Sequence, residues 1–103
     1  METPIIDFIE PIKGIYTVYS KSGCKNCTNV KNLLLEHDIE FSLVDCDEYL
    51  VNRKPEFLLY IKNMANKEWK TFPMVFDGKE FIGGYRETIE HLEKTLEFDD
   101  AAF

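Results

Sequence analysis

Apolar and polar residues alternate between two rhythms along this chain. Ile15-Tyr16-Thr17-Val18-Tyr19 is a β-rich run that follows Gly14 and ends at Ser20. Cys27, Val30, Leu33, Leu34 and His37 then share a helical spacing, which predicts a helix over 25–37 that Asp38 breaks. Phe41-Ser42-Leu43-Val44 is a short second strand, and Asp45, Asp47 and Asn52 mark a loop or an irregular start. Pro55 can open a helix with Phe57, Leu58, Ile61 and Met64 or Ala65 on one face, closing near Asn63 and Asn66.

Met74-Val75-Phe76 and Glu80-Phe81-Ile82 flank Asp77-Gly78, a hairpin signal, and Gly83-Gly84 stops the second of these strands. Tyr85, Ile89, Leu92 and Leu96 recur at the period of an amphipathic helix. At the front, Thr3-Pro4 with Ile5, Ile6, Phe8 and Ile9 predicts a short helical turn that Pro11 ends, so residues 1–13 form a helical extension. Residues 98–103 have no period and are expected to be a mobile tail.

The expected order is helix, β, α, β, α, ββ, α. A βαβ unit implies a parallel pair and a hairpin adds an antiparallel one. The expected fold is α/β: a four-stranded mixed β-sheet with helices on both faces, in a single domain over 1–103.

Composition changes little in this picture. An apolar fraction of 45% and a charged fraction of 30% are ordinary for a soluble globular chain. No apolar run approaches the roughly 18 residues of a membrane helix. Glu2, Asp7 and Glu10 at the front do not fit a signal peptide, and the expected location is cytoplasmic.

The net charge of −7 argues against a nucleic-acid surface. The charge is uneven. Glu87, Glu90, Glu93, Glu97, Asp99 and Asp100 crowd the C-terminal stretch, while Lys13, Lys21, Lys25 and Lys31 surround the cysteine turn in sequence.

Three cysteines is an odd count, better suited to intracellular redox chemistry than to a stapled secreted domain. Cys24-Lys25-Asn26-Cys27 stands between a strand and a helix. A helix N-terminus offers unpaired N–H groups and partial positive charge, both of which favour a thiolate, the form that attacks disulfides. Cys27 shares the stripe of Val30 and Leu34 and is expected to be the more buried of the pair. Cys46, between Asp45 and Asp47, is expected to be unreactive or semi-buried because neighbouring acids oppose its ionisation. A zinc site needs four ligands, and Cys46, His37 and His91 have no paired spacing. His37 suits a helix C-terminus, and His91 is expected to be exposed.

Taken in order, these pieces resemble a glutaredoxin within the thioredoxin fold, over about residues 3–97. Three motifs carry the resemblance: Tyr19-Ser20-Lys21-Ser22-Gly23-Cys24-Lys25-Asn26-Cys27, Lys70-Thr71-Phe72-Pro73, and Phe81-Ile82-Gly83-Gly84. The second is similar to the family's Thr-Val-Pro, whose proline is cis. The resemblance implies a thiol–disulfide oxidoreductase with Cys24 as nucleophile and Cys27 as resolving thiol. It further implies a surface for glutathione or a protein thiol built from Lys21, Lys25, Lys70, Thr71, Phe72, Pro73, Gly83, Gly84, Tyr85 and Arg86. Glutathione would be the co-substrate and disulfide-containing proteins the partners, with the chain acting as a monomer.

Two departures qualify the substrate. Lys25-Asn26 replaces the family's Pro-Tyr between the cysteines, and Tyr85-Arg86 replaces a small residue and an aspartate after Gly-Gly. Gly84-Tyr85-Arg86-Glu87 is also similar to a segment of glutaredoxin-like redoxins that serve ribonucleotide reductase and are recharged by thioredoxin reductase. A further branch of the family bridges a [2Fe–2S] cluster with the nucleophilic cysteine and glutathione, and no resident metal is expected here. Phe98-Asp99-Asp100-Ala101-Ala102-Phe103 faintly resembles the C-terminal peptides of ribonucleotide reductase small subunits.

Overall fold

The computed structural model describes residues 8–101. Strands β1 (Tyr16–Ser20), β2 (Phe41–Asp45), β3 (Met74–Asp77) and β4 (Glu80–Gly83) form one sheet in the order β2-β1-β3-β4. Strand β1 pairs parallel with β2 and antiparallel with β3, and β3 pairs antiparallel with β4. Helices α1 (Lys25–Glu36), α2 (Asp47–Asn52), α3 (Lys54–Ala65) and α4 (Tyr85–Ala101) complete the chain. The expected fold class is the observed one: a mixed four-stranded sheet of thioredoxin-like form with helices on both faces.

The sheet divides the core because successive strand side chains point to opposite faces. Val18 and Val75 join Val30, Leu34 and Leu92 under α1 and α4. Tyr19, Met74 and Phe76 join Phe57 and Ile61 under α3, with Val44 and Cys46 beside them. A one-residue slip in β1 would exchange Val18 with Tyr19 and misfit both layers.

The structure differs from the sequence reading in four places. Residues 47–52, expected as a loop, are helix α2. Asp47 and Glu48 occupy its first turn, where the helix dipole favours acids, and Asp45 Oδ1 accepts the Asp47 N–H at 3.0 Å. These acids open a helix rather than interrupt one.

The turn of the hairpin is Gly78-Lys79 rather than Asp77-Gly78, since Asp77 pairs with Glu80. Helix α4 continues to Ala101, past the end of its apolar period at Leu96, and residues 102–103 lie outside the described residues. Phe8 to Ile12 are not helical, and the rest of the expected N-terminal turn, residues 3–7, also lies outside them.

What residues 8–13 form is a strap across α2 and α3. The Phe8 ring lies 4.9 Å from that of Tyr49, 5.5 Å from Phe57 and 5.3 Å from Tyr60, centroid to centroid, with the Arg53 guanidinium 4.6 Å away. The Tyr19 hydroxyl donates to Ile9 O, and the Ile12 N–H donates to Thr17 Oγ1 at 3.0 Å.

Candidate active site

Strand β1 and helix α1 meet at Lys21-Ser22-Gly23, and the segment 45–47 fixes this turn. The Cys46 N–H donates to Ser20 O at 2.8 Å. The Ser22 N–H donates to Asp47 Oδ1 at 2.8 Å, and the Ser22 hydroxyl donates to Asp47 Oδ2. These two hydrogen bonds hold the Asp47 carboxyl below the usual carboxylate range, with Lys21 assisting.

Cys24 is the N-cap of α1, with extended backbone angles and its sulfur where a serine oxygen would be. The Cys27 N–H donates to Cys24 Sγ at 3.2 Å. That sulfur is partly exposed, whereas Cys27 is 2% exposed behind it. Burial, followed by the hydrogen bond and charge of Cys24, pushes the Cys27 thiol up to about 12, while the Lys21 backbone N–H and the Lys31 ammonium act the other way. With a negative charge on Cys24, its neighbour therefore keeps its proton. Cys24 stands at the head of the helix, and Cys27 is the more buried of the pair.

A cavity of about 420 Å³ opens on this pair, lined by Lys21, Ser22, Gly23, Cys24, Lys25, Cys27, Thr28 and Lys31. Lys21 also lines a groove of about 300 Å³ with Leu50, Lys54, Leu58, Lys70, Thr71 and Phe72. Its ammonium lies 5.9 Å from the centre of the Phe72 ring, joining the cysteine turn to the second motif. The Phe72-Pro73 peptide is cis, as the resemblance implied. The third motif adjoins the second: Pro73 O and the Trp69 ring lie 3.5 and 3.6 Å from the point where a Cβ on Gly84 would stand.

Of the expected binding residues, Lys21 and Lys25 lie in the cysteine cavity, and Lys70, Thr71 and Phe72 in the adjoining groove. Pro73 adjoins Gly84, and Pro73, Gly83, Gly84, Tyr85 and Arg86 line neither opening. The Tyr85 side chain packs against the core under α1 and α4, and Arg86 is exposed. Glu87 Oε1 accepts the Gly84 N–H at 3.0 Å, the glutamate half of a capping box at the head of α4.

Sequence reasoning missed Asp47, Lys54, Leu50 and the groove-facing use of Leu58. Lysine ahead of Pro55 was their only local signal. His91, expected to be exposed, is half-buried with Nε2 at 3.0 Å from Asp77 Oδ2. A roomier cavity of about 550 Å³ is lined by Asp45, Asp47, Glu48, Val51 and Asn52, but no cysteine reaches it and its acids would repel a thiolate.

Among the described residues no three His, Cys, Asp or Glu side chains gather as metal ligands, and no helix is long and apolar enough to cross a membrane. Cys46 is fully buried. Burial is the main reason its thiol is pushed up to about 12, ahead of Asp45, Cys27 and Asp47, so the acids named from the sequence are the lesser cause.

A thioredoxin-like sheet presenting a capped cysteine, a buried partner one turn along and a cis proline nearby defines a class of dithiol redox proteins. The family model of the glutaredoxins matches residues 16–82, and the chain belongs to that family. It is 33% identical over 70 residues to glutaredoxin-like protein NrdH of Lactococcus lactis subsp. cremoris, a match covering 68% of this chain and 86% of that one. Among solved structures it is similar to glutaredoxin 1 from Francisella tularensis complexed with cacodylate, at 25% identity and a TM-score of 0.69, over 80% of this chain and 95% of that one. The holo form of glutaredoxin C1 from Populus tremula x tremuloides is also similar, at 26% identity and a TM-score of 0.62, over 77% and 74%. Family membership implies thiol–disulfide oxidoreductase chemistry in general terms.

Proposed function

We propose that the protein is a cytoplasmic, monomeric dithiol–disulfide oxidoreductase that reduces protein disulfides and glutathione mixed disulfides. The observation that carries the reading is the Cys27 N–H aimed at Cys24 Sγ at the head of α1, with the Cys27 thiol buried behind it. The Cys24 thiolate attacks one sulfur of the substrate disulfide. That S–S bond breaks, a mixed disulfide forms on Cys24, and the other substrate sulfur leaves as a thiolate that takes up a proton.

Once Cys24 is in the mixed disulfide its charge is gone, and with it part of what holds the proton on Cys27. Cys27 then loses its proton and attacks Cys24 Sγ, forming the Cys24–Cys27 disulfide and releasing the second substrate thiol. Two electrons and two protons reach the substrate. Two molecules of glutathione reverse the process on the protein, becoming one glutathione disulfide. The potential consistent with this role is about −200 to −230 mV.

A second reading concerns the reductant alone. Tyr85-Arg86 in place of the small residue and aspartate, together with the similarity to glutaredoxin-like protein NrdH, supports an electron donor to ribonucleotide reductase recharged by thioredoxin reductase. Turnover of one protein disulfide, driven either by glutathione with glutathione reductase or by thioredoxin reductase, separates the two. Cys24→Ser should abolish thiol transfer in either system. Cys27→Ser should retain activity on glutathione mixed disulfides, and equal loss in both variants would count against the glutathione branch. For the cluster branch, anaerobic reconstitution that yields a colourless monomer would remove the idea.

A further inference from the structure

The chain carries 19 acids against 12 bases, yet no Asp or Glu lines either opening at the cysteine turn. Five lysines do: Lys25 and Lys31 in the cysteine cavity, Lys54 and Lys70 in the groove, and Lys21 in both. Among the described residues no carboxylate forms an ion pair with Lys21, Lys25, Lys31 or Lys54, and Lys70 has only the exposed Glu68 at 3.7 Å. The groove is also apolar, since half-buried Leu50, Leu58 and Phe72 line it between the ammonium groups. On α2 and the end of β2 lies the cavity of Asp45, Asp47 and Glu48, which repels negative charge.

A surface with an apolar floor, cationic edges and an anionic border fits a ligand with matching features in one orientation. We propose that the groove of Lys21, Lys54, Lys70, Leu50, Leu58 and Phe72 is the docking site for an acidic segment of the substrate protein that carries an aromatic or large aliphatic side chain. Its carboxylates meet the lysines, and its apolar side chain lies on the floor. The shared Lys21 leads the segment toward Cys24, so docking presents the disulfide to the sulfur. The inference rests on the dithiol reading above and adds to it the kind of partner.

The test uses three disulfide peptides differing only beside the disulfide: Asp-Glu-Phe, Asn-Gln-Phe and Asp-Glu-Ser. Oxidation of the reduced full-length protein by each is followed as the release of peptide thiol. Asp-Glu-Phe should react about tenfold faster than either of the others at low salt, and the preference should shrink toward unity near 1 M salt as screening sets in. Lys54→Glu should reverse the preference for Asp-Glu-Phe over Asn-Gln-Phe. Lys54 is exposed at the first position of α3, where an acid suits the helix dipole, so the variant should fold.

Equal rates on all three peptides would overturn the docking inference and leave the dithiol reading standing. Competition by a single-stranded oligonucleotide as strong as that by the free Asp-Glu-Phe segment would also overturn it, since charge alone would then explain binding. Reduction of none of the three, nor of a small disulfide, would overturn the dithiol reading itself.

Discussion

At the scale of single residues, position relative to a helix end and to solvent decides what each cysteine does. Cys24 and Cys27 are three residues apart, yet one caps a helix at the surface and the other is sealed beneath it. Cys46 is sealed as well, and its pairing of burial with a raised thiol has a thermodynamic consequence. A group held at about 12 in the folded state and near 9 when exposed keeps its proton longer when folded. Above pH 9 the unfolded chain therefore binds fewer protons, and stability is lost as the pH rises through the interval to 12. The urea midpoint of the reduced protein should fall between pH of about 7 and about 10, and Cys46→Ala should lose less over that interval. An identical alkaline loss in the variant would remove Cys46 from the account. Asp47 acts through Ser22 on the turn that presents Cys24, so Asp47→Ala should slow disulfide attack several-fold, whereas Glu48→Ala in the same helical turn should not. Equal slowing would deny Asp47 that positioning role.

At the scale of elements, the strands and the α1 stripe were legible because burial on one face writes its period directly into the sequence. Cys27, Val30 and Leu34 are one such period, and all three are buried. Helix α2 was not legible, because a six-residue helix with no fully buried residue leaves no period to read, and its acids are equally at home in a turn. The cysteine pair was legible because local order fixes its place. The groove was not, since Lys21, Lys54 and Lys70 come from three separate segments that only tertiary folding brings together. Gly83 shows how tightly β4 joins α4. Its φ of +132° strains any residue with a side chain, and a Cβ there would stand 2.8 Å from Glu87 Cβ and Cγ. Gly83→Ala should cost about 1–3 kcal/mol in denaturant unfolding. A loss under about 0.5 kcal/mol, within the scatter of surface substitutions, would show that α4 moves freely enough to admit the methyl group.

At the scale of the whole molecule, the two-sided core relies on chain outside the sheet and helices. The floor under α3 is closed by Phe8, which touches Tyr49, Phe57 and Tyr60 at once. Phe8→Ala should lower the unfolding free energy by about 2–3 kcal/mol, less than a fully enclosed phenylalanine would. A loss within 0.5 kcal/mol of zero would mean the strap is ornamental (about the scatter of surface substitutions). The pinning of the strap also bears on where this domain begins. The family match starts at Tyr16, yet Phe8, Ile9 and Ile12 are already engaged with α2, α3 and β1. A shortened chain starting at Tyr16 would carry every residue proposed for catalysis and still uncover an aromatic face over Tyr49, Phe57 and Tyr60. In this protein the packed unit is longer than the span by which the family is recognised.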